Sequence, residues 1–253
     1  MRNQLKELLK EGKTLLGSFI TMNNPDGAEI MAMAGYDFLI IDCEHGPMSV
    51  ESATHLIRAA EVRGVPSIIR VKDGRPETIL RSLDIGATGV QVPQVGSGAM
   101  AAAVADASHY HPVGHRGLAM PRAADFGRMQ VEEYFQKTRE ELLVIAQCES
   151  AEGLVNIEAV AATSGIDVVF LGPFDLSHSL GIPGQVEDPQ IKAAERKVLE
   201  VCERHGKAAG IFAVNGEAAR LRAKEGFRYV TIATDAIILG KAAAEEVKAF
   251  RGE

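Results

Sequence analysis

The 253-residue chain has no tryptophan, only 5% aromatic residues and three cysteines. Cys43, Cys148 and Cys202 are odd in number, far apart and lack any C-x-x-C pair. Neither a disulfide framework nor a zinc ribbon is implied, and a reduced, cytoplasmic setting is expected. No apolar run approaches the roughly 20 residues of a membrane span. The opening segment MRNQLKELLKEGK is amphipathic and charged, without the apolar stretch of a secretory signal. Basic residues are in deficit as well: 27 Lys and Arg stand against 34 Asp and Glu, a formal charge of −7. That balance argues against nucleic acid or an anionic membrane as the main partner. It leaves a small anionic substrate open, because a few local arginines can override the global sign.

What the chain does have is Ala, Val, Ile and 25 glycines, with 46% hydrophobic and 24% charged residues. This is ordinary for a folded soluble protein and enough for a large core. Short, continuous β-branched runs are the mark of parallel strands buried on both faces. Eight occur: Leu15–Ile20, Asp37–Cys43, Pro66–Val71, Gly89–Val95, Leu142–Cys148, Asp167–Gly172, Ala208–Ala213 and Tyr229–Ala233. Between them, helical periodicity covers Ala28–Ala34, Val50–Arg63, Glu77–Ile85, Gly98–Ser108, Glu152–Ala162, Ile191–His205 and Glu217–Gly226. Ala236–Phe250 follows the eighth strand and Asn3–Lys10 precedes the first. Gly35, Gly64, Gly86, Gly206 and Gly226 each stand just after a helix, where a left-handed residue is wanted. Strict β–α alternation over about 250 residues predicts one (β/α)8 TIM barrel spanning 1–253 as a single domain, with an extra N-terminal helix. Two connections are long: the one containing Tyr110–Gly127, and the irregular stretch Pro173–Gln190.

Active sites of this fold lie at the C-terminal ends of the strands. There the chain places Asp42, Cys43, Glu44 and His45; Arg70; Gln91 and Gln94; Gln147 and Glu149; Gly172, Phe174 and Asp175; and Thr234 and Asp235. Asp42, Arg70 and Gln147 sit inside apolar runs, where an unpaired charge or polar group is costly. One buried ion pair would be structural, but four neighbouring strands ending in ionisable groups make a site. Glu149 and Asp175 suit a Mg²⁺ or Mn²⁺ ion completed by waters and substrate oxygens. The alternative is that Asp175 caps a turn and Glu149 caps the next helix. His45 is the only histidine at a strand end, with Asp42 and Glu44 near enough in sequence to orient a general base. Arg70 suits an oxyanion or enolate. A Schiff-base enzyme needs a lysine at the mouth, and only Lys72 comes close, already past its strand.

DFLIIDCEHGPMS (Asp37–Ser49), PSIIRV (Pro66–Val71), LRSLDIGATGVQVPQV (Leu80–Val95), YHPVGHRGLAMPRA (Tyr110–Ala123), AQCES (Ala146–Ser150) and FLGPFDLSHSLG (Phe170–Gly181) together resemble the HpcH/HpaI aldolases. These are metal-dependent pyruvate aldolases of the 4-hydroxy-2-oxo-heptanedioate and 2-dehydro-3-deoxyglucarate type, on a phosphoenolpyruvate/pyruvate-type barrel. The resemblance implies Glu149 and Asp175 as ligands of a divalent metal (Mg²⁺, Mn²⁺ or Co²⁺). It implies Arg70 on the keto oxygen of pyruvate, and His45 paired with Asp42 as a base acting through water. Gln147, Gly172 and the backbone N–H groups of Phe174 and Asp175 would line the pyruvate side. Asp84 would reach a neighbouring subunit's site. Trimers or hexamers with an exchanged C-terminal helix are implied, as is a role in aromatic or sugar-acid catabolism. Phe174 is bulky where many relatives carry Ala, and Phe212 stands on the aldehyde side. The expected reaction is reversible cleavage of a 4-hydroxy-2-oxo acid, or a 2-keto-3-deoxy sugar acid, to pyruvate and an aldehyde. The rivals are a CoA-thioester lyase, which would need a nucleotide groove to which Arg116 and Arg122 could contribute, and a non-catalytic binding barrel.

Overall fold

A computed structural model describes residues 4–252 of the chain. Eight parallel strands close into a barrel in sequence order: β1 (Leu15–Ile20), β2 (Phe38–Asp42), β3 (Ser67–Arg70), β4 (Gly89–Val92), β5 (Leu143–Cys148), β6 (Val168–Leu171), β7 (Ala208–Ala213) and β8 (Tyr229–Thr234). Helix α1 (Leu5–Lys10) precedes them; the Asn3 assigned to that helix from sequence lies outside the described residues. Around the barrel run α2 (Pro25–Met33), α3 (Val50–Val62), α4 (Pro76–Asp84), α5 (Gly98–Ser108), α6 (Val131–Glu141), α7 (Ala151–Val155), α8 (Ile157–Ala162), α9 (Pro173–Ser179), α10 (Pro189–Arg204), α11 (Gly216–Glu225) and α12 (Asp235–Arg251). The five glycines expected after helices all have positive φ.

Three expectations are corrected. The connection between β4 and β5 carries α6, whose Tyr134 is buried against Tyr110 and Ala124; its mostly charged sequence hid the periodicity. The stretch after β6 begins with α9, started by Pro173 at its first turn. The helix expected over Glu152–Ala162 is two, α7 and α8, broken at Asn156. Its amide donates to the Gly96 carbonyl at 2.8 Å, and its backbone ends one helix and starts the next.

Side chains alternate across each strand, and this divides the apolar residues into two cores. Outward residues such as Leu39, Ile41, Val144 and Ala146 pack under the helices. Inward residues, Phe38 and Ile40 on β2, Ile68 on β3, Leu143 and Ile145 on β5, Phe170 on β6 and Tyr229 on β8, fill the barrel, with Leu5 and Leu9 of α1 in the same cluster. Continuing the inward positions toward the strand ends reaches Asp42, Arg70, Gln91 and Gln147. Register fixes their neighbourhood: Asp42 is opposite Arg70, and Arg70 opposite Gln91.

The inner layer is aromatic, so the strands beside it must be bare. Phe38 stacks on Tyr229 with centroids 4.5 Å apart, and Phe170 meets Tyr229 edge-on at 5.9 Å. A Cβ on Gly17 would stand within 3 Å of three Phe38 ring atoms. Overpacking a filled core costs about 1–3 kcal/mol. Gly17→Ala should therefore lower the urea midpoint by a stability loss in that range, and an unchanged midpoint would contradict this packing.

Candidate active site

Asp42 and Arg70 meet at the rim of the barrel, where β2 and β3 end. Arg70 Nε donates to Asp42 Oδ1 at 2.9 Å and Nη2 to Oδ2 at 2.6 Å, a bidentate pair with side-chain exposures of 13% and 1%. The face of the guanidinium lies over the Phe19 ring, 4.6 Å from its centroid. Burial works against the cation, but the hydrogen bonds and charge of Asp42 hold Arg70 above its usual pKa. Asp42 Oδ1 also accepts from the backbone N–H groups of Glu44 (3.1 Å) and His45 (3.2 Å), fixing the turn after β2.

This geometry corrects the pairing of His45 with Asp42. Both carboxylate oxygens of Asp42 are taken by Arg70, so Asp42 holds the backbone of His45 and not its ring. The imidazole, 63% exposed, has Glu44 as its nearby acid, with Nε2 3.9 Å from Oε2. Glu44 Oε2 is buried without a hydrogen bond although it lies 3.3 Å from Arg70 Nε, because that N–H already points at Asp42. Burial pushes the Glu44 carboxyl up to about 7, opposed by Arg70 and reinforced by the negative charges of Asp42 and Asp175.

Glu149 stands past the end of β5. Its Oε1 accepts from the backbone N–H of Gln94 at 2.8 Å, and its Oε2 from Gln147 Nε2 at 2.8 Å. Gln94 adopts a left-handed backbone, φ 56°, to present that N–H. Burial raises Glu149 to about 7; the two hydrogen bonds oppose the shift, and Asp175 and Glu44 add to it. Glu149 is not a helix cap, since Ser150 caps α7 through Gly153 N–H. Asp175 lies in the first turn of α9, whose N-cap Gly172 makes no side-chain cap bond. The bare Cα of Gly172 leaves a cradle: a Cβ there would meet Glu149 Oε2 at 2.7 Å and Asp175 Oδ2 at 3.7 Å. The two carboxylates thus face one small space. Among the described residues no three His, Cys, Asp or Glu side chains converge as a metal cage. The donor set is a pair of hard oxygens, which fits a divalent ion that keeps positions for water and substrate.

On the other side of the mouth, Phe212 lies 6.0 Å from both Phe19 and Phe174, and Phe174 is 45% exposed. Lys72 is exposed beyond β3. Asp84, by contrast, is the last residue of α4, near the start of β4, and accepts from Arg116 Nη2 at 2.7 Å; it is not in the mouth of its own barrel. Arg116 and Arg122 lie at that same far end, the latter bound to Glu61 and the Ile85 carbonyl. They border a cavity of about 460 Å³ there. A second, of about 620 Å³, lies beside Lys6 and Lys207. Neither cavity touches the carboxylate set, so the chemistry, not the volume, marks the site.

Sequence reasoning placed Glu44 and Gln91 at the strand ends without their partners, and left Phe19 and Tyr229 out of the site. Strand alternation was the available signal for Phe19 and Tyr229, since each occupies an inward position. Nothing in the sequence showed that Glu44 would lose the competition for Arg70.

A barrel with an arginine and two convergent carboxylates at its mouth is the scaffold of an enzyme working on an oxygen-rich anion. The chain belongs to the HpcH/HpaI aldolase/citrate lyase family, whose sequence profile matches residues 15–242. It is 36% identical to a hydroxypyruvate/pyruvate aldolase of Chromohalobacter salexigens, over 99% of this chain and 98% of that protein. It is 34% identical to a 2-keto-3-deoxy-L-rhamnonate aldolase of Salmonella gallinarum, over 99% and 94%. A crystal structure of a family member from Burkholderia cenocepacia superposes with a TM-score of 0.93 at 35% identity, covering 98% of this chain and 99% of that one.

The raised carboxylates have a consequence for stability. From about pH 5 to 7 the folded chain keeps protons on Glu44 and Glu149 that the unfolded chain releases, so their contribution to stability falls as pH rises through that window. In EDTA, the drop in melting temperature across the window should be smaller for Glu149→Gln than for the parent. Equal drops would contradict the assignment.

Proposed function

We propose that the protein is a divalent-metal-dependent aldolase that reversibly cleaves a 4-hydroxy-2-oxo acid, or a 2-keto-3-deoxy sugar acid, to pyruvate and an aldehyde. The observation that carries this reading is the Glu149–Asp175 pair facing the Gly172 cradle, with the Arg70 cation close enough to feel the charge of Glu149. The names of the two aldolases above support it. Glu149 and Asp175 would hold Mg²⁺, Mn²⁺ or Co²⁺. When bound, such an ion supplies Lewis-acid polarisation of the 2-oxo group and charge stabilisation worth several kcal/mol.

The chain's own groups then divide the work. The N–H groups of Phe174 and Asp175, in the first turn of α9 and without intrahelical acceptors, are free to receive the substrate carboxylate. Gln147 lines the same side. His45, exposed and flanked by Glu44, accepts the C4 hydroxyl proton through a water. The C4–O–H electrons become the aldehyde C=O, the C3–C4 bond breaks, and its electron pair moves through C2 onto the keto oxygen. Arg70 faces that oxygen with a guanidinium already neutralised and aimed by Asp42. Protonation at C3 yields pyruvate. Phe19, Phe174 and Phe212 form the wall on the aldehyde side.

Asp84 would act in a neighbouring subunit, consistent with its place at the far end of its own barrel. The exposed Ile237, Leu239, Val247 and Phe250 of α12 support a homo-oligomer, a trimer or hexamer, with this helix exchanged. No helix among the described residues is long and apolar enough to cross a membrane, which fits a cytoplasmic enzyme of aromatic or sugar-acid catabolism. A CoA-thioester lyase would need a nucleotide groove beside the carboxylates, and in their own barrel Arg116 and Arg122 lie at the opposite end from these. A binding barrel without activity would have no use for the strained Gln94 and the costly buried charges.

The test is pyruvate release from a 4-hydroxy-2-oxo acid with Mg²⁺, Mn²⁺ or Co²⁺, before and after EDTA. Release should vanish with EDTA and return with the ion; activity surviving full metal removal would contradict the reading. Arg70→Lys should lower kcat by about 10²–10³, because a lysine lacks the planar fork that Asp42 aims. A near-parent kcat would remove Arg70 from this role.

A further inference from the structure

A line of hydrogen bonds runs from the closed interior of the barrel to the active-site carboxylate. The Tyr229 hydroxyl, at the start of β8, donates to Gln91 Oε1 at 3.0 Å. Gln91 Nε2 donates to Gln147 Oε1, and Gln147 Nε2 donates to Glu149 Oε2 at 2.8 Å. Tyr229 and Gln91 are fully buried, and Gln147 is 1% exposed. Three strands and the loop after β5 are joined in this way, from deep in the aromatic layer to the mouth.

The polarity of this line is forced whenever Glu149 is ionised, as it must be to hold a metal ion. A side-chain amide has one donor end and one acceptor end. An ionised carboxylate only accepts, so Gln147 must turn its NH₂ toward Glu149 and its oxygen toward Gln91. Gln91 must in turn offer its NH₂ to Gln147, which leaves Gln91 Oε1 facing inward and in need of a donor. The phenol is that donor, and burial keeps it protonated far beyond neutral pH. Were both amides inverted, Gln147 would set oxygen against oxygen at Glu149.

We infer that Tyr229 is a positioning residue of the active site: its hydroxyl locks the Gln91 and Gln147 amides in one orientation and through them aims Glu149 Oε2 at the Gly172 cradle. Tyr229 touches no reacting atom. Its ring packs on Phe38 and Phe170 whether or not it carries a hydroxyl, so the packing and positioning roles can be separated. The functional consequence rests on the metal-aldolase reading above, because Glu149 is there a metal ligand.

The experiment is a Mn²⁺ titration of the full chain as parent, Tyr229→Phe, Gln91→Met and the double variant. Tyr229→Phe, which keeps the aromatic layer, should weaken Mn²⁺ binding roughly tenfold, the lower end of what groups behind a metal ligand contribute. Adding it to Gln91→Met should cause no further loss, since the line is already cut there. A residue that is only structural would not give that non-additivity. Mn²⁺ binding by Tyr229→Phe equal to the parent's, or losses that add in the double variant, would overturn the inference. Should Gln91→Met not fold, the comparison of Tyr229→Phe with the parent still decides. A parent that binds no Mn²⁺ would overturn the metal reading and this inference together; a parent that binds it beside an unaltered Tyr229→Phe would overturn this inference alone.

Discussion

The pairing of Asp42 with Arg70 is the constraint from which the rest of the mouth follows. A guanidinium at the rim of an apolar barrel must be neutralised and hydrogen-bonded to be tolerated. Asp42 does both, through two short bonds across adjacent strands in register. One cation and one anion thereby cancel, and the guanidinium face is covered by Phe19. What remains nearby is unbalanced: among the described residues, Glu44, Glu149 and Asp175 share no strong cation beyond Arg70. Burial and mutual repulsion then hold Glu44 and Glu149 near neutral pKa values. A cluster of this kind favours either protons or a divalent cation, and the same imbalance is what would give an ion its affinity.

The barrel interior supplies the rigidity that such a site needs. Its lower layers are a packed aromatic plug for which Gly17 and Gly210 make room. Above the plug, the inward positions turn polar one strand at a time, and each polar group has a named partner. Glu149 is held from two directions, by the strained backbone of Gln94 and by Gln147. His45 and Phe174, which on the proposed reading meet the substrate's outer half, sit instead on the segments that follow the strands and are the more exposed. On that reading, precision is concentrated on the pyruvate side and latitude on the aldehyde side.

Most of the barrel was legible in the sequence because its strands are short apolar runs bounded by glycine; β1 and β7 match the expected bounds residue for residue. The helices that escaped notice are ones whose apolar face is narrow, as in α6, or whose length is a turn or two, as in α9. Asp42, Arg70, Gln147 and Glu149 were legible for an energetic reason: a polar residue inside an apolar run must be doing something specific. Partner choice was not legible. That Asp42 gives both oxygens to Arg70 and only its backbone attention to His45 depends on strand register, which no spacing along the chain reveals. Nor could the sequence mark Tyr229, since a tyrosine in an apolar strand reads as packing until its hydroxyl is seen to end a line of amides.

On the proposed metal-aldolase reading, a divalent ion would displace the protons that burial holds on Glu44 and Glu149. It is tested most directly by calorimetric titration of Mn²⁺ at about pH 6 in two buffers of different ionisation enthalpy, which counts the protons released on binding. Release is expected at that pH, falling toward none at about pH 8.5, where both carboxylates are already ionised. Binding with no proton release at the lower pH would contradict it.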